Sequence, residues 1–236
     1  MFLLVYARIY GTAFVDALAA IARNAWTLVL PIALIKTFFL LASLIAPMGF
    51  AGGILRSLAQ SAAASVFTYF VAQVVAKNKV GLADLRTSIG AYFWTWINVF
   101  FGVWIITLLL GPMTVTADGQ RLRTALFMLA LVVFNAAPEV IYLRGTSGFI
   151  ETAQRSFAFL QECWIEWFVP NALILAGVFF LLNGTVPLAA LPAPGLTIPV
   201  LLGALLHLVM VFRGFLFQML DGSTHRQRMF KYGRKT

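Results

Sequence analysis

Residues 25–46 read AWTLVLPIALIKTFFLLASLIA, and the only charged side chain among them is that of Lys36. An α-helix needs about 20 mostly apolar residues to cross the roughly 30 Å hydrocarbon core of a bilayer. This stretch therefore predicts a membrane-spanning helix. Five further stretches predict spans in the same way, at residues 54–76, 91–111, 124–143, 167–188 and 198–219.

The composition of the whole chain excludes a water-soluble globular protein. Of its 236 residues, 61% are hydrophobic and 11% are charged, and the mean hydropathy is +0.92. A soluble domain carries about 25% charged residues, and no core of this size could enclose the apolar excess. The single cysteine, Cys163, cannot form a disulfide within the chain.

The links between the predicted spans differ on the two sides of the membrane. On one side they are short and rich in proline and glycine, whereas on the other they are longer and polar. Most of the 17 Lys and Arg residues lie on the long-link side. By the positive-inside rule, we expect a multi-pass protein of the bacterial inner membrane with both termini in the cytoplasm.

A repeated pattern predicts one all-α membrane domain over residues 1–236. Each odd-numbered span follows an amphipathic stretch, here called an elbow, which we expect to lie in the membrane interface. The predicted elbows are residues 1–24, 77–90 and 144–166. The hairpins that follow them are residues 25–76, 91–143 and 167–219, and residues 220–236 form a basic cytoplasmic tail.

Tryptophans mark the junctions between elbows and spans. Because the indole ring prefers the headgroup level, these side chains predict contacts with the lipid interface. They are Trp26, Trp94, Trp96, Trp164 and Trp167.

The third elbow has the clearest amphipathic pattern, and simple cytosolic loops remain the alternative for the first and third elbows. At 100° per residue, four charged side chains share one face: Glu151, Arg155, Glu162 and Glu166. The apolar side chains gather opposite them: Phe149, Ile150, Phe157, Leu160 and Trp164.

Polar residues inside the spans are candidate functional residues, because an ionisable group in hydrocarbon costs roughly 2.5–3.5 kcal/mol on insertion scales. Glu139 and Arg213 lie at similar depths, so we expect them to face each other. A structural ion pair is the favoured interpretation, and a gate or a proton-linked site is the alternative. Pro138 predicts a kink next to Glu139.

Lys36 lies near the predicted midplane, where no carboxylate of the chain shares its depth. Four explanations stay open: a neutral amine, an offset pair with Glu139, a polar cavity shared with Asn135, or a partner molecule. His207 lies at a similar depth. Since the only other histidine, His225, lies in the tail, we interpret His207 as a packing residue and predict neither a metal nor a cofactor.

Two further patterns concern packing and the tail. Ser57, Ser61 and Ser65 repeat every fourth residue, which predicts an internal helix-packing seam, with an oligomer interface or a cavity lining as the alternative. The tail concentrates basic side chains and predicts binding to anionic lipid of the inner leaflet rather than to nucleic acid. These are Arg226, Arg228, Lys231, Arg234 and Lys235.

Residues 138–171 contain Pro138, Glu139, Tyr142, Gly148, Ser156, Trp164, Trp167, Pro170 and Asn171. This pattern resembles six-helix bacterial inner-membrane proteins of little-known function, among them the membrane portions that precede some glycerophosphodiester phosphodiesterases. The resemblance implies a six-helix membrane fold and carries over no catalytic residue.

No known catalytic or nucleotide-binding motif occurs in the chain. The leading expectation is therefore a non-catalytic inner-membrane subunit or scaffold within a transport or envelope-assembly complex, contacting other membrane subunits or copies of itself. One alternative is a small transporter with a polar site in the membrane. Another is a lipid-handling protein at the inner interface.

Overall fold

The structure is a computed structural model that describes residues 2–183 and 193–233. Helices dominate both ranges, and neither contains a strand, which confirms the predicted all-α class. The helices are α1 (Phe2–Arg23), α2 (Leu30–Ile45), α3 (Gly49–Val75), α4 (Leu85–Ala91), α5 (Phe93–Leu109), α6 (Ala117–Val133), α7 (Ala137–Glu139), α8 (Phe149–Leu182), α9 (Pro194–Leu220) and α10 (His225–Gly233). Short 3₁₀ turns at Ala25–Val29, Ala46–Met48, Leu82–Asp84 and Gly111–Val115 and a π-helical turn at Val140–Gly145 complete the set.

Several of these helices are long and apolar enough to cross a membrane, so the chain is a multi-pass membrane protein. Four continuous stretches qualify within the described residues: Leu4–Arg23, Ala25–Val75, Phe149–Phe180 and Gly195–Leu220. The number rises to six if α4 with α5, bent by 46°, and α6 with the segment Ala137–Gly145, bent by 41°, each form one span. This set differs from the six predicted spans, because it includes Leu4–Arg23, predicted as an elbow, and counts Ala25–Val75, predicted as two spans, once. The predicted number of six stays a prediction.

The boundary between the first two predicted spans coincides with a break in the helix. Gly49 has a φ of +55°, a conformation that favours glycine, and it follows the 3₁₀ turn Ala46–Met48. At Gly52 an added Cβ would lie 2.3 Å from the Ile45 carbonyl oxygen. Proline and glycine thus separate α2 from α3 where the sequence predicts the hairpin tip.

The three predicted elbows differ from one another in form. The first is a continuous helix, α1, which is also apolar enough to be a candidate span. The second contains only the 3₁₀ turn Leu82–Asp84 and the short α4. The third is the first part of α8, which departs from helical geometry at Cys163 (φ −131°, ψ 20°) and continues as the predicted fifth span.

The third elbow agrees in part with the predicted two-sided pattern. Ile150, Phe157 and Trp164, which we expect to face the acyl chains, are exposed, as contact with lipid requires, whereas Leu160 of the same predicted face is buried. Glu166, predicted on the cytosolic face, is also buried. The buried residues further include Thr152, Ser156, Phe159 and Cys163, so the helix has a protein-facing side as well, and small polar side chains fit that contact.

The chain forms two compact units, each described by itself. The terminal unit contains Met1–Phe39, Phe70–Leu82 and Glu162–Thr236. Within it α1 packs along α9 through a stripe with four-residue spacing, which includes Ile9, Ala13 and Ala17. Because alanines let helix backbones approach closely, this stripe suits a helix contact. The rings of Phe14 and Phe212, 6.3 Å apart, flank the contact.

The central unit contains Leu40–Tyr69 and Ala83–Gln161. The kink predicted at Pro138 is present, since α6 ends at Val133 and α7 begins at Ala137 with proline in its first turn. After the π-helical turn, the side chain of Arg155 donates to the carbonyl oxygens of Arg144 (3.3 Å) and Gly145 (3.2 Å). This arginine satisfies carbonyl groups that the end of the turn leaves free.

Candidate functional site

Lys36 lies on the exposed surface of α2. The side chain forms no hydrogen bond, ion pair or ring contact with any residue in ranges 2–183 and 193–233. Its neighbours one turn before and after on the exposed surface are apolar, and they include Ala33 and Phe39. Lys36 is therefore the one charged side chain on an exposed helix surface that is otherwise mostly apolar, with Thr37 and Ser43 as its exposed polar members.

His207 is buried in the terminal unit, next to the 3₁₀ turn Ala25–Val29 that joins α1 to α2. Its Nε2 lies 2.9 Å from the hydroxyl of Thr27, which in turn donates to the Asn24 carbonyl oxygen at 2.7 Å. Both Thr27 and His207 are fully buried. This bond joins α9 to the 3₁₀ turn Ala25–Val29, an arrangement that suits the predicted packing role.

Asn24, at the end of α1, connects the same junction to the segment that follows α3. Its side-chain amide donates to the Asn78 carbonyl oxygen at 3.0 Å and its side-chain oxygen accepts from the Val80 amide at 3.1 Å. The Trp26 indole donates to the Val80 carbonyl oxygen at 3.0 Å. Three hydrogen bonds thus hold the segment after α3 against the end of α1.

Arg213 contacts α8 within the terminal unit. One guanidinium nitrogen donates to the side-chain oxygen of Asn171 at 3.2 Å, and the guanidinium carbon lies 4.8 Å from the centre of the Trp167 ring. Asn171 donates to the Trp167 carbonyl oxygen at 2.6 Å. Stacking on tryptophan and a neutral acceptor provide this arginine with two favourable contacts inside the unit.

Glu139 is fully buried in the central unit, and Asn135 precedes it by one turn. Arg213 belongs to the terminal unit. The expected pairing of Glu139 with Arg213 stays a prediction, as does an offset pairing of Glu139 with Lys36.

The three regularly spaced serines face the α4–α5 region of the central unit to different extents. The Ser65 hydroxyl donates to the Ser88 carbonyl oxygen at 2.8 Å and accepts from the Tyr92 amide at 2.9 Å. The Ser61 and Ser57 hydroxyls donate instead to carbonyl oxygens of α3 itself, at 2.9 and 3.1 Å. Ser65 is therefore part of a tight helix contact, whereas Ser57 and Ser61 line a groove.

The basic tail contains a buried ion pair. One guanidinium nitrogen of Arg228 donates to the Glu166 carboxylate at 3.0 Å, and both side chains are at most 5% exposed. The Nδ1 atom of His225 lies 3.0 Å from the same carboxylate oxygen. Arg228 also donates to the carbonyl oxygens of Leu220 (3.2 Å) and Ser223. This cluster fixes α10 to α8 within the terminal unit.

Arg228 therefore differs from the prediction that all tail cations are available to lipid headgroups. A buried guanidinium already bound to a carboxylate offers no charge to the membrane surface. Arg226 and Lys231 are exposed, as a lipid-binding role requires. Arg234 and Lys235 lie outside the described residues.

The predicted interfacial tryptophans fall into two groups. Trp94 and Trp164 are exposed, and Trp26 and Trp96 are partly exposed with their indole nitrogens bonded to protein oxygens. Trp167 is fully buried beneath Arg213, so its prediction as a lipid-facing residue is wrong. The guanidinium of Arg213 packs on the indole ring, a contact that the position of Trp167 at a span boundary does not predict.

Comparison with known proteins adds no assignment: the chain matches no known protein family, no curated protein and no solved structure. Within residues 2–183 and 193–233, no three His, Cys, Asp or Glu side chains are grouped as metal ligands would be. The resemblance to six-helix inner-membrane proteins stays an expectation.

Sequence reasoning missed the partners of several polar residues. Asn24 and Thr27 gave no periodic signal because they lie just after the end of α1, and Asn171 gave none because it is a single polar residue in an apolar part of α8. Glu166 and Arg228 are 62 positions apart, and only the folded chain brings them together.

Proposed function

We propose that this protein is a non-catalytic subunit of a bacterial inner-membrane complex, which docks another membrane-embedded chain through the surface of α2 around Lys36. The observation that supports the proposal is the exposed position of Lys36 in an apolar helix. A charge in hydrocarbon costs roughly 2.5–3.5 kcal/mol on insertion scales, so a partner that neutralises it gains most of this free energy.

The depth of Lys36 supports a protein partner over escape to water. Lys36 lies about 19 Å along the helix axis from Ala25, at one end of the predicted span, and about 15 Å from Ala46, at the other. A lysine stem shortens such a distance only in part. The chemistry of the partner follows from the charge: a helix carrying a carboxylate, or a strong acceptor, at the same depth.

The proposed topology has six crossings with both termini in the cytoplasm. The stretch Ala25–Val75 is 51 residues long, about 76 Å as a helix, and so exceeds twice the hydrocarbon thickness. Two crossings separated at Gly49 therefore fit it better than one. In this proposal α1 does not cross the bilayer, because Arg8, Asp16 and Arg23 share one side of it. The alternative is a further crossing by α1, which packs along α9 and is itself long and apolar enough to span a membrane; that crossing would place the N-terminus on the opposite side from the C-terminus.

The test is assembly in native membranes extracted with a mild detergent. We expect the wild-type chain to migrate in a complex larger than the monomer on native gels and in native mass spectra. Lys36→Met should release it, Lys36→Arg should retain it, and Lys79→Met, which removes an exposed lysine outside the apolar helices, should leave the complex intact.

A second experiment identifies the docking face. A photoreactive amino acid at position 36 should cross-link one membrane chain, and Lys36→Glu should restore assembly when a carboxylate of that chain is changed to lysine. A wild-type chain that is monomeric under these conditions, or a complex indifferent to Lys36→Met, would contradict the proposed function.

A further inference from the structure

The central unit contains a groove between α3 and α5, distinct from the Lys36 surface. At one end of the groove, hydrogen bonds hold the two helices together. The Ser65 hydroxyl accepts from the Tyr92 amide, and the Trp96 indole donates to the Thr68 hydroxyl at 2.8 Å. Beyond Ser61, toward the start of α3, the helices leave a space of about 530 Å³. Its walls are Phe50, Gly53, Ile54, Ser57, Leu58 and Ser61 of α3 and Ile97, Phe100, Phe101 and Trp104 of α5.

The groove walls offer a guest almost no polar contact. The lining has one indole N–H, that of Trp104, and two hydroxyls, those of Ser57 and Ser61, which both donate to carbonyl oxygens of their own helix. Their hydrogens are thereby used, and the remaining wall consists of aliphatic and aromatic groups. The occupant is therefore a hydrocarbon rather than a hydrogen-bonding ligand.

The length and volume of the groove fit a single hydrocarbon chain. From Phe50 to Ser61 the groove extends for about 16 Å along α3, close to the roughly 15 Å depth of one bilayer leaflet. A helix segment of this length, side chains included, occupies roughly 1,500 Å³, far more than the space available. A single acyl chain matches the length and requires no widening of the groove.

We propose that the α3–α5 groove binds one phospholipid, with an acyl chain lying from Phe50 to Ser61. The Phe50 end adjoins the 3₁₀ turn Ala46–Met48, and irregular backbone belongs at the membrane boundary, so the headgroup lies there.

Gly53 provides a direct test, because it lines the groove and an added Cβ there meets no atom within 4 Å. Gly53→Phe therefore adds a large side chain at the groove wall, and its Cβ has room. Ala51→Phe, on the same helix and outside the lining, is the matched control. In nanodiscs containing phosphatidylglycerol with a diazirine in mid-chain, irradiation should label peptides of α3 and α5 that line the groove.

We expect Gly53→Phe to lower this labelling about tenfold, the change that 1.4 kcal/mol of binding free energy produces, and Ala51→Phe to preserve it. Equal labelling in the two phenylalanine variants, or cross-links from the groove to a protein chain, would overturn the proposal. Neither result depends on the assembly tested at Lys36.

Discussion

Two cations of the terminal unit, Arg228 in α10 and Lys36 in α2, both lie in surroundings that their neighbours in the sequence do not predict. Arg228 lies in a basic tail yet is buried against Glu166, whereas Lys36 lies in the most apolar part of the sequence yet is exposed. The polarity of neighbouring residues in the sequence therefore does not determine whether a charged side chain is buried or exposed. What determines it is whether another part of the chain provides the counter-charge.

The largest expected effect is that of removing the buried tail cation. Arg228→Met leaves the Glu166 carboxylate with only His225, and breaking a buried ion pair costs about 3–5 kcal/mol. We expect the thermal midpoint in detergent to fall by roughly 10 °C. Arg226→Met, an exposed neighbour on α10, is the control and should change little. Equal thermal midpoints for Arg228→Met and Arg226→Met would show that the buried pair of Arg228 with Glu166 does not stabilise the protein.

Lys36→Met should act in the opposite direction. Because Lys36 has no partner within the described part of the chain, its replacement should make residues 25–46 insert more favourably by about 2.5–3.5 kcal/mol. An insertion assay with a glycosylation reporter measures this free energy. The purified chain should lose no thermal stability. A loss comparable with that of Arg228→Met would place the counter-charge of Lys36 inside the protein.

The coupling between Glu166 and Arg228 provides the next largest effect. A double variant, Glu166→Met with Arg228→Met, should be more stable than the sum of the single losses predicts, since neither charge is then left alone in a buried place. A double-mutant cycle on unfolding free energies should give a coupling of about 1–3 kcal/mol. Additive losses would show that the two side chains act independently.

The smallest effect concerns a cation that is paired but exposed. The ammonium of Lys77 lies 3.6 Å from the Asp16 carboxylate, and their side chains are 50% and 35% exposed. Exposed pairs contribute about 0.2–1 kcal/mol. Asp16→Asn should therefore lower the unfolding free energy by less than about 1 kcal/mol, with the difference vanishing at high salt. A larger, salt-independent loss would place Asp16 among the buried partners.

The fold was predictable where a local signal decides it. Apolar length indicates the long helices, Pro47 and Gly49 indicate the break after α2, and Pro138 indicates the bend between α6 and α7. These features depend on residues within a turn or two of each other. Local steric rules are therefore sufficient to predict them.

The candidate site was less predictable, because its contacts join distant residues. The exposure of Lys36, the burial of Arg228 and the place of Trp167 under Arg213 all depend on which helices are neighbours. Periodicity places a residue on a face but does not reveal what covers that face. This is why Glu166 was predicted in water and is found in an ion pair.

The close packing of α1 against α9 has a consequence for biosynthesis. The stripe that includes Ile9 and Ala17 is synthesised about 200 residues before the part of α9 that packs on it. Throughout that interval lipid or the insertion machinery has to cover the apolar side of α1. Final packing of α1 therefore has to wait until α9 has been made.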